Sequence, residues 1–486
     1  MSMGSSPRER LIAGILLVMV VTAYLVFHRH EFLSSTTALL AAGIMFVGLL
    51  PAVHWVMRRP DQRPRFPLMA LAGVYYSIFY GGSVFLIGIM WYEDLVRLYF
   101  YYQSPPIYID EKSIFAAFCG VTLMVSVYYL SSRYISRVLP VLKFVTNPNV
   151  NAIKLLSWTL IVGRLVHHLV PFISNMPTVG SFIVPAGTAG MVVLYAMWRR
   201  KMLAPFEAGI LLLIAFPVVL TMTVATGFLS PIIVLAVLII FAEAWMAKRL
   251  PWKSIVAVPV IFLLVYPVIS QVRNVIWAPG NTQTAIEKVT LSAIIILGFY
   301  GLELGTPVKS YGVEPGSLRS FSGVVTRISH QLLLSRVIQT TPHDVPYWGG
   351  ETYVPLISKL VPRAVWAEKP EERFGNEFGR RYGLLNPDER QMSVNLPWMP
   401  EMFANFGWLG LLVGMSAIGL LMAMLETFFV SPRAGLLEGA IGMSIVSPLF
   451  MQESNFSLMV GNIPLIALTI WLYYRFGHRI LVRLLP

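Results

Sequence analysis

The sequence predicts an all-α, multi-pass membrane protein, and composition, run length and charge placement each lead there. Of 486 residues, 56% are hydrophobic and only 13% are charged, and the mean hydropathy of +0.68 lies well above the range of soluble domains. Apolar runs close to the ~20 residues that cross a bilayer as a helix recur along the chain. The net charge of +13 is carried largely by short segments between those runs, which is how membrane topology is written rather than how nucleic acid is bound. One integrated membrane domain is therefore expected, not the roughly three soluble domains that length alone would suggest.

The first run, Leu11 to Phe27, follows the basic triplet RER and resembles a signal sequence, but no small-residue cleavage site follows it in HRHEF, so it is expected to remain as the first span. The runs at 36–57, 67–90, 113–131, 154–170, 180–198, 205–223, 228–246 and 254–270 follow, and 402–427, 434–451 and 458–474 bring the expected total to twelve. Placing the N-terminus in the cytoplasm puts Arg58, Arg59, Arg63 and Arg65 inside, then Arg133, Arg137 and Lys143, the RRK triplet at 199–201, Lys248, Arg249 and Lys253, and last Arg475, Arg479 and Arg483. Every short basic cluster then falls on one side, as the positive-inside rule requires, and both termini are cytoplasmic. The single cysteine, Cys119, lies within an apolar run, which excludes an intrachain disulfide and a thiolate metal site. No internal repeat or low-complexity tract appears, which disfavours transporter folds made of duplicated halves.

The opposite face carries short turns near 171–179 and 224–227, an acidic-aromatic loop at 91–112 and one very long segment, 271–401, with thirteen Lys or Arg and twelve Asp or Glu. Long loops cross the membrane largely regardless of charge, so this one is expected outside. The chain thus divides into spans 1–9 (1–270), an external loop (271–401) and spans 10–12 (402–486). Structureless loops longer than ~15 residues are uncommon in compact domains. This one contains TLSAIIILGFYG at 290–301, too short to span, and SGVVTRISHQLLLSRVIQTT at 322–341, where Val325, Ile328, Leu332 and Val337 approximate a helical stripe decorated by Arg327, His330 and Arg336. A partly helical cap lying on the membrane is expected.

Several residues in and near this cap have candidate chemistry. Arg164, His167 and His168 sit in the outer half of the fifth span, and a cation there either faces a polar cavity or snorkels to the interface. Arg164 and His168 share a helix face and are placed to bind an anion. Arg273 leaves the ninth span directly into the long loop, as a plain membrane anchor or as a fork beside a phosphate. The stretch PRAVWAEKPEERFGNEFGRRYG, 362–383, contributes Arg363, Trp366, Lys369, Arg373, Arg380 and Arg381 between prolines that restrict the backbone. Its basic and aromatic composition suits pyrophosphate and sugar, although a solvated charge run has the same composition. Glu401 stands where SVNLPWMPEMFANFGWLGLL turns apolar, as a helix N-terminal cap or as a general base toward a hydroxyl. The chain has no phosphate-binding G-x-x-x-x-G-K-[ST] loop, no zinc-spaced His/Cys cluster, no D-x-D pair and no G-x-S-x-G elbow. The expectation is a basic, metal-free site at the external membrane face.

The order of these features, with PRAVWAEKP, then GNEFGRRYG, then PEMFANFGWLGLL, resembles the O-antigen polymerase, or Wzy-like, family of bacterial oligosaccharide repeat-unit polymerases, across roughly Arg273 to Leu411 and in the number of spans. The resemblance implies a GT-C-like membrane glycosyltransferase in the bacterial inner membrane. It would move a glycan linked through pyrophosphate to undecaprenol onto a new lipid-linked repeat unit, without a cofactor, beside a flippase and a chain-length regulator as partners. Under it, Arg273, Arg363 and Glu401 match catalytic positions, and Arg164 matches a mid-span arginine loosely. Arg164, His168, Arg327, Trp366, Lys369, Arg380 and Arg381 would hold pyrophosphate or glycan, with Glu377 or His330 as further bases and Trp398 as a sugar-stacking ring. An O-antigen ligase using His330 or His343 is the near alternative. A polyprenyl-monophosphate sugar transferase using Glu93–Asp94 or Asp110–Glu111 is a second, and a non-catalytic flippase of lipid-linked saccharide a third. The charge pattern makes a direct prediction. In a Cys119→Ala background, His343→Cys reacts with an impermeant maleimide in intact cells, and Arg59→Cys reacts only after permeabilisation; labelling of Arg59→Cys from outside would reverse the topology.

Overall fold

The computed structural model describes residues 33–89, 108–170, 177–258, 260–261, 285–299, 325, 327–359, 361, 366, 368 and 372–484, and every regular element among them is helical. α1 (Ser35–Met57) begins where the Thr37 N–H donates to the Ser34 hydroxyl at 3.1 Å. α2 (Leu68–Tyr76) passes through a π-helical turn (Ser77–Gly82) into α3 (Ser83–Ile89). α4 (Glu111–Val138) and α5 (Val150–Leu169) are capped by Asp110 and Asn149, whose side chains accept the Ser113 and Ala152 N–H groups at 3.2 and 3.1 Å. α6 (Pro177–Arg199) follows, then α7 (Pro205–Ile210), a second π-helical turn (Leu211–Ala215), and α8 (Phe216–Ala225). α9 (Leu229–Ala247) stops at Lys248, which adopts a left-handed φ of 54°.

The long loop supplies α10 (Ala285–Phe299), α11 (His330–Thr340), the short α12 (Pro355–Lys359) and α13 (Phe374–Arg381). α14 (Trp398–Phe429), α15 (Leu436–Val446), α16 (Phe456–Val460) and α17 (Ile463–Leu484) complete the chain. The expected first span, 11–27, and most of the ninth, 254–270, lie outside the described residues. The other expected spans all fall on described helices, and eight of these are long and apolar enough to cross a membrane. α5 is not among the eight, because Lys154, Arg164 and two histidines dilute it, and α15 with its 3-10 extension is apolar but shorter. Leu39, Phe46, Leu130, Leu213 and Leu409 remain exposed on these helices, a surface suited to lipid. The protein is a helical, multi-pass membrane protein.

Hydrophobic burial does little to join helices within lipid, so close packing and polar contacts must. α1 and α2 touch through Gly48 and Gly73; a Cβ on Gly73 would collide with the Gly48 carbonyl oxygen. α14 lies along α4, and α5 along α6. Near the far end of α14, the buried Glu426 accepts the Met69 N–H at 2.8 Å and the Tyr128 hydroxyl at 2.5 Å. It thereby satisfies an orphan amide at the start of α2 from 357 residues away.

The connections rich in basic residues share this end. The Arg65 N–H donates to the Val430 carbonyl at 2.7 Å, and its guanidinium reaches the Ala434 carbonyl and lies 5.4 Å from the Trp245 ring. Arg433 donates to the Ser136 carbonyl at 2.8 Å, and Trp471 to that of Lys143 at 3.1 Å. The described parts of the long loop pack on the opposite end, with the Ser335 hydroxyl 2.8 Å from that of Ser113 at the start of α4. Replacing the acid at the basic end, Glu426→Leu, is expected to destabilise the protein by about 1–3 kcal/mol for each donor left unpaired. Thermal unfolding in detergent micelles is the measurement, and a melting temperature equal to wild type would remove Glu426 from the helix-joining role.

Candidate functional site

At the end opposite the basic connections, α15 finishes in a 3-10 turn (Ser447–Phe450), and the chain crosses to α16 through Met451, Gln452, Glu453, Ser454 and Asn455. A polar crossing inside a helix bundle requires partners for its side chains and backbone. It finds them on nearly every neighbouring element. The Tyr76 hydroxyl donates to the Gln452 side-chain carbonyl, and the Tyr75 hydroxyl lies 3.0 Å from the Gln452 backbone oxygen and 2.7 Å from Nδ1 of His330. Glu453 pairs with Arg327 and accepts from Ser230 at 3.2 Å and Asn395 at 3.4 Å. On the other side of the crossing, Glu372 accepts from the Asn455 amide and the Ser457 hydroxyl, and it pairs with Lys359 at 2.5 Å. Lys359 also donates to the Ser457 carbonyl at 2.7 Å. Burial pulls the Lys359 ammonium below its ordinary pKa, while Glu372 opposes that shift.

Glu401 completes this cluster. It lies in the first turn of α14 and is fully buried, yet its carboxylate serves another helix: Oε2 accepts the N–H of Phe456, the first residue of α16, at 2.6 Å. Oε1 has no partner at hydrogen-bonding geometry among the described residues, with the Thr352 hydroxyl close beside the carboxyl. Asn405 holds Thr352 in place, donating to its hydroxyl at 2.9 Å and accepting the Gly350 N–H at 2.9 Å. One turn further, Phe406 and Gly407 leave helical geometry, with Gly407 at a left-handed φ of 60°. The kink separates the short Glu401-bearing piece from the rest of α14. Along this side of α14 runs an apolar groove of about 410 Å³, walled by Tyr353, Phe406, Leu409, Val413 and Phe456. A buried carboxylate with one oxygen not firmly engaged among the described residues, a nearby ammonium–carboxylate pair and a greasy groove suit a reaction on the head of an amphiphile.

The residues expected from sequence divide by location. Glu401 accepts from Phe456 and lies within electrostatic reach of Lys359 and Glu372, and Arg327 pairs with Glu453. Arg273, Arg363 and Lys369 lie outside the described residues, as do Glu93 and Asp94. Arg164 is buried on α5, donates to Thr188 at 2.5 Å and lines a cavity together with Glu453 of the crossing; His168 is half-buried, its ring 5.2 Å from that of His167. Arg380 donates to Asn376 at 3.0 Å. Arg381 pairs with Glu377 and Glu351 and stacks 4.4 Å from the Trp348 ring, so Glu377 serves an ion pair on α13. Trp366 is exposed.

The sugar-stacking role expected of Trp398 is corrected. Its indole is fully buried, edge-on to Phe456 at 5.1 Å, and packs in the core. Asp110 caps α4 and Glu111 accepts from Ser34 at 2.7 Å, so local structural contacts account for that acidic pair. His330 is buried among Tyr75, Phe79 and Tyr80, the last two placed by the π-helical turn, whereas His343 is exposed beside Asp344. Sequence reasoning passed over Lys359, Glu372, Gln452, Glu453 and Asn455. The available signal was QESN at 452–455, a run of polar residues confined to a turn between two apolar segments. Among the described residues no group of three or more His, Cys, Asp or Glu is placed to hold a metal ion.

A family model described as a domain of unknown function (DUF8712) matches residues 149–429, more than half of the chain, and the chain belongs to that family. The match includes Arg164, Lys359, Glu372 and Glu401 and ends before Glu453 and Asn455. No curated protein matches the chain, and no solved structure does.

The Lys359–Glu372 pair tests the cluster. Because removing one member of a buried pair leaves the other charge uncompensated, Lys359→Met or Glu372→Leu alone is expected to cost about 3–5 kcal/mol. The double variant should melt closer to wild type than either single one; additive losses in the resulting double-mutant cycle would show that the two are not coupled.

Proposed function

We propose that this member of the DUF8712 family is a membrane glycosyltransferase. It would extend a surface polysaccharide by transferring a glycan from undecaprenyl pyrophosphate to a lipid-linked acceptor at the external face of the bacterial cytoplasmic membrane. The observation that carries the proposal is Glu401: a fully buried carboxylate with one oxygen lacking a well-aligned partner among the described residues, close to the Thr352 hydroxyl, at the end of the bundle remote from the basic connections and beside an apolar groove of about 410 Å³. The groove is suited to a lipid chain, and the cluster to the polar head attached to it.

In the proposed reaction, an acceptor hydroxyl attacks the anomeric carbon of the donor sugar. A new carbon–oxygen bond forms, the bond to the pyrophosphate oxygen breaks, and undecaprenyl pyrophosphate leaves with the electron pair. The hydroxyl proton passes to Oε1 of Glu401, while the bond from the Phe456 N–H holds the other oxygen and fixes the carboxylate. Arg273 and Arg363 are the groups proposed to stabilise charge developing on the leaving pyrophosphate, where preorganised cations act most strongly with water excluded. Lys359, held by Glu372 and by the Ser457 carbonyl, keeps the cluster assembled rather than touching the reacting atoms. Holding two lipid-borne substrates in one membrane face supplies much of the remaining rate through proximity.

The test is an in vitro reaction of purified protein with undecaprenyl-pyrophosphate-linked repeat units, resolved as a glycan ladder. Wild type is expected to make a ladder. Glu401→Gln keeps an acceptor for the Phe456 N–H but not the base, and should lower the rate by about 10²–10⁴-fold; Arg273→Ala and Arg363→Ala should abolish the ladder while remaining folded. A wild-type protein that makes no ladder but moves labelled lipid-linked sugar across vesicles would replace this reading with transport.

A further inference from the structure

The ends of α6 and α9 come together on the basic side of the bundle, where Glu243 of α9 accepts the Tyr195 hydroxyl at 2.6 Å and pairs with Arg199 at 2.7 Å. Each helix stops on a lysine. Lys201 has a φ of 59° and Lys248 one of 54°, and among the described residues they are the only non-glycine residues with a left-handed backbone. After α6 the Met202 N–H donates to the Met197 carbonyl at 2.9 Å and the Lys201 N–H to that of Trp198 at 2.8 Å, a helix-ending pattern whose left-handed position ordinarily selects glycine. A charged side chain kept in such a conformation implies a use for it. Sidedness does not require it, because Arg200 and Arg249 beside the two lysines already supply basic charge. Both lysines are exposed, and neither forms an ion pair among the described residues. At these two helix ends Arg199, Arg200, Lys201, Lys248 and Arg249 stand against a single carboxylate, that of Glu243.

One turn into the bundle from Arg199, an apolar cavity of about 130 Å³ lies between α6, the π-helical turn at Leu211–Ala215 and α9. Met191, Val192, Leu212, Phe216 and Ile239 wall it. The two hydroxyls on its lining are already engaged, Tyr195 by Glu243 and Thr188 by the Val184 carbonyl at 3.0 Å, so the walls leave little for a polar ligand. The volume is well below the ~300–1,000 Å³ of small-molecule sites and suits a stretch of hydrocarbon instead. Leu213 and Ile214 of the same π-helical turn are exposed, which sets the cavity beside the lipid-facing surface.

We propose that the cavity and the two lysines bind one anionic phospholipid from the leaflet at the basic end, with part of an acyl chain between α6 and α9 and the phosphodiester at Lys201 and Lys248. The helix ends carry partial negative charge, so the ammonium groups rather than the backbone hold the phosphate. A net negative head group is favoured over a zwitterionic one, which brings its own cation to the same place. The site lies at the end of the bundle opposite Glu401 and does not rest on glycan transfer.

The experiment uses the full chain purified in maltoside micelles and titrated with phosphatidylglycerol or with phosphatidylcholine of the same acyl chains. Melting temperature and retained lipid in native mass spectrometry are the readouts. Phosphatidylglycerol is expected to stabilise the wild type saturably and to be retained in preference to phosphatidylcholine. The double variant Lys201→Gly, Lys248→Gly removes both ammonium groups and relieves both backbones. Its melting temperature without lipid should equal or exceed that of wild type, while its apparent Kd for phosphatidylglycerol rises at least tenfold. Leu212→Trp fills the cavity from a half-buried position without altering charge and should weaken binding likewise; where it does not fold, the lysine variant decides. Lysines that serve only to end their helices would instead leave lipid binding intact in the double variant. The proposal is overturned by that result, by equal action of the two lipids on wild type, or by a folded Leu212→Trp that binds as wild type does.

Discussion

The structure depends on the need to pair the polar groups of one buried segment, Gln452 to Ser457. Leaving a buried donor or acceptor unmade costs roughly 1–3 kcal/mol, and water is not at hand to make up the loss inside a helix bundle. The segment therefore fixes whatever can satisfy it. Tyr75 and Tyr76 come from α2, Ser230 from α9, Arg327 and Lys359 from the long loop, and Glu401 from α14. Loop and bundle are joined here as one body of contacts, so the loop is held over the bundle by side-chain chemistry rather than by chain connectivity.

The two ends of α14 show how pairing separates structure from chemistry. Glu426 and Glu401 are the same residue type, both buried, on one helix. Glu426 has both oxygens engaged, by the Met69 amide and the Tyr128 hydroxyl, and fastens three helices at the basic end. Glu401 has one oxygen engaged by Phe456 and the other, near the Thr352 hydroxyl, without a well-aligned partner among the described residues. A fully satisfied buried acid is accounted for by the fold; one with a free oxygen retains capacity to accept a proton or a hydroxyl. The kink at Phe406–Gly407 adds to the contrast, because it lets the Glu401-bearing turn take an orientation of its own beside the apolar groove.

Arg164 and Arg327 differ in the same way. Arg327 meets a carboxylate, so the charge it brings into the bundle is balanced at Glu453. Arg164 enters a polar cavity with a hydroxyl as its one hydrogen-bond partner among the described residues. A cation inside a membrane domain is expensive unless something offsets it, and the difference in partners, not in residue type, makes Arg164 the informative one. Arg381, by contrast, pairs with Glu377 on α13 and with Glu351 and balances its charge locally, while Arg380 donates to the Asn376 amide oxygen.

The sequence by itself determined the class, the main spans and the gathering of the short basic connections at one end, because these follow from properties local to each segment: run length, hydropathy and short-range charge. It also placed Glu401 at a boundary worth attention, since the shift from polar to apolar text is visible in ten residues on either side. Only the tertiary structure decided what Glu401 does with its oxygens, that Trp398 packs in the core, and that Asp110 ends a helix. Lys359, Glu372 and Glu453 became visible only there. The reason is sequence distance. Lys359 finds Ser457 98 residues away, Arg327 finds Glu453 at a separation of 126, and Glu401 finds Phe456 at 55. The cost of an unpaired buried group is paid or avoided between segments that no local pattern relates, so the site emerges only once the helices are packed.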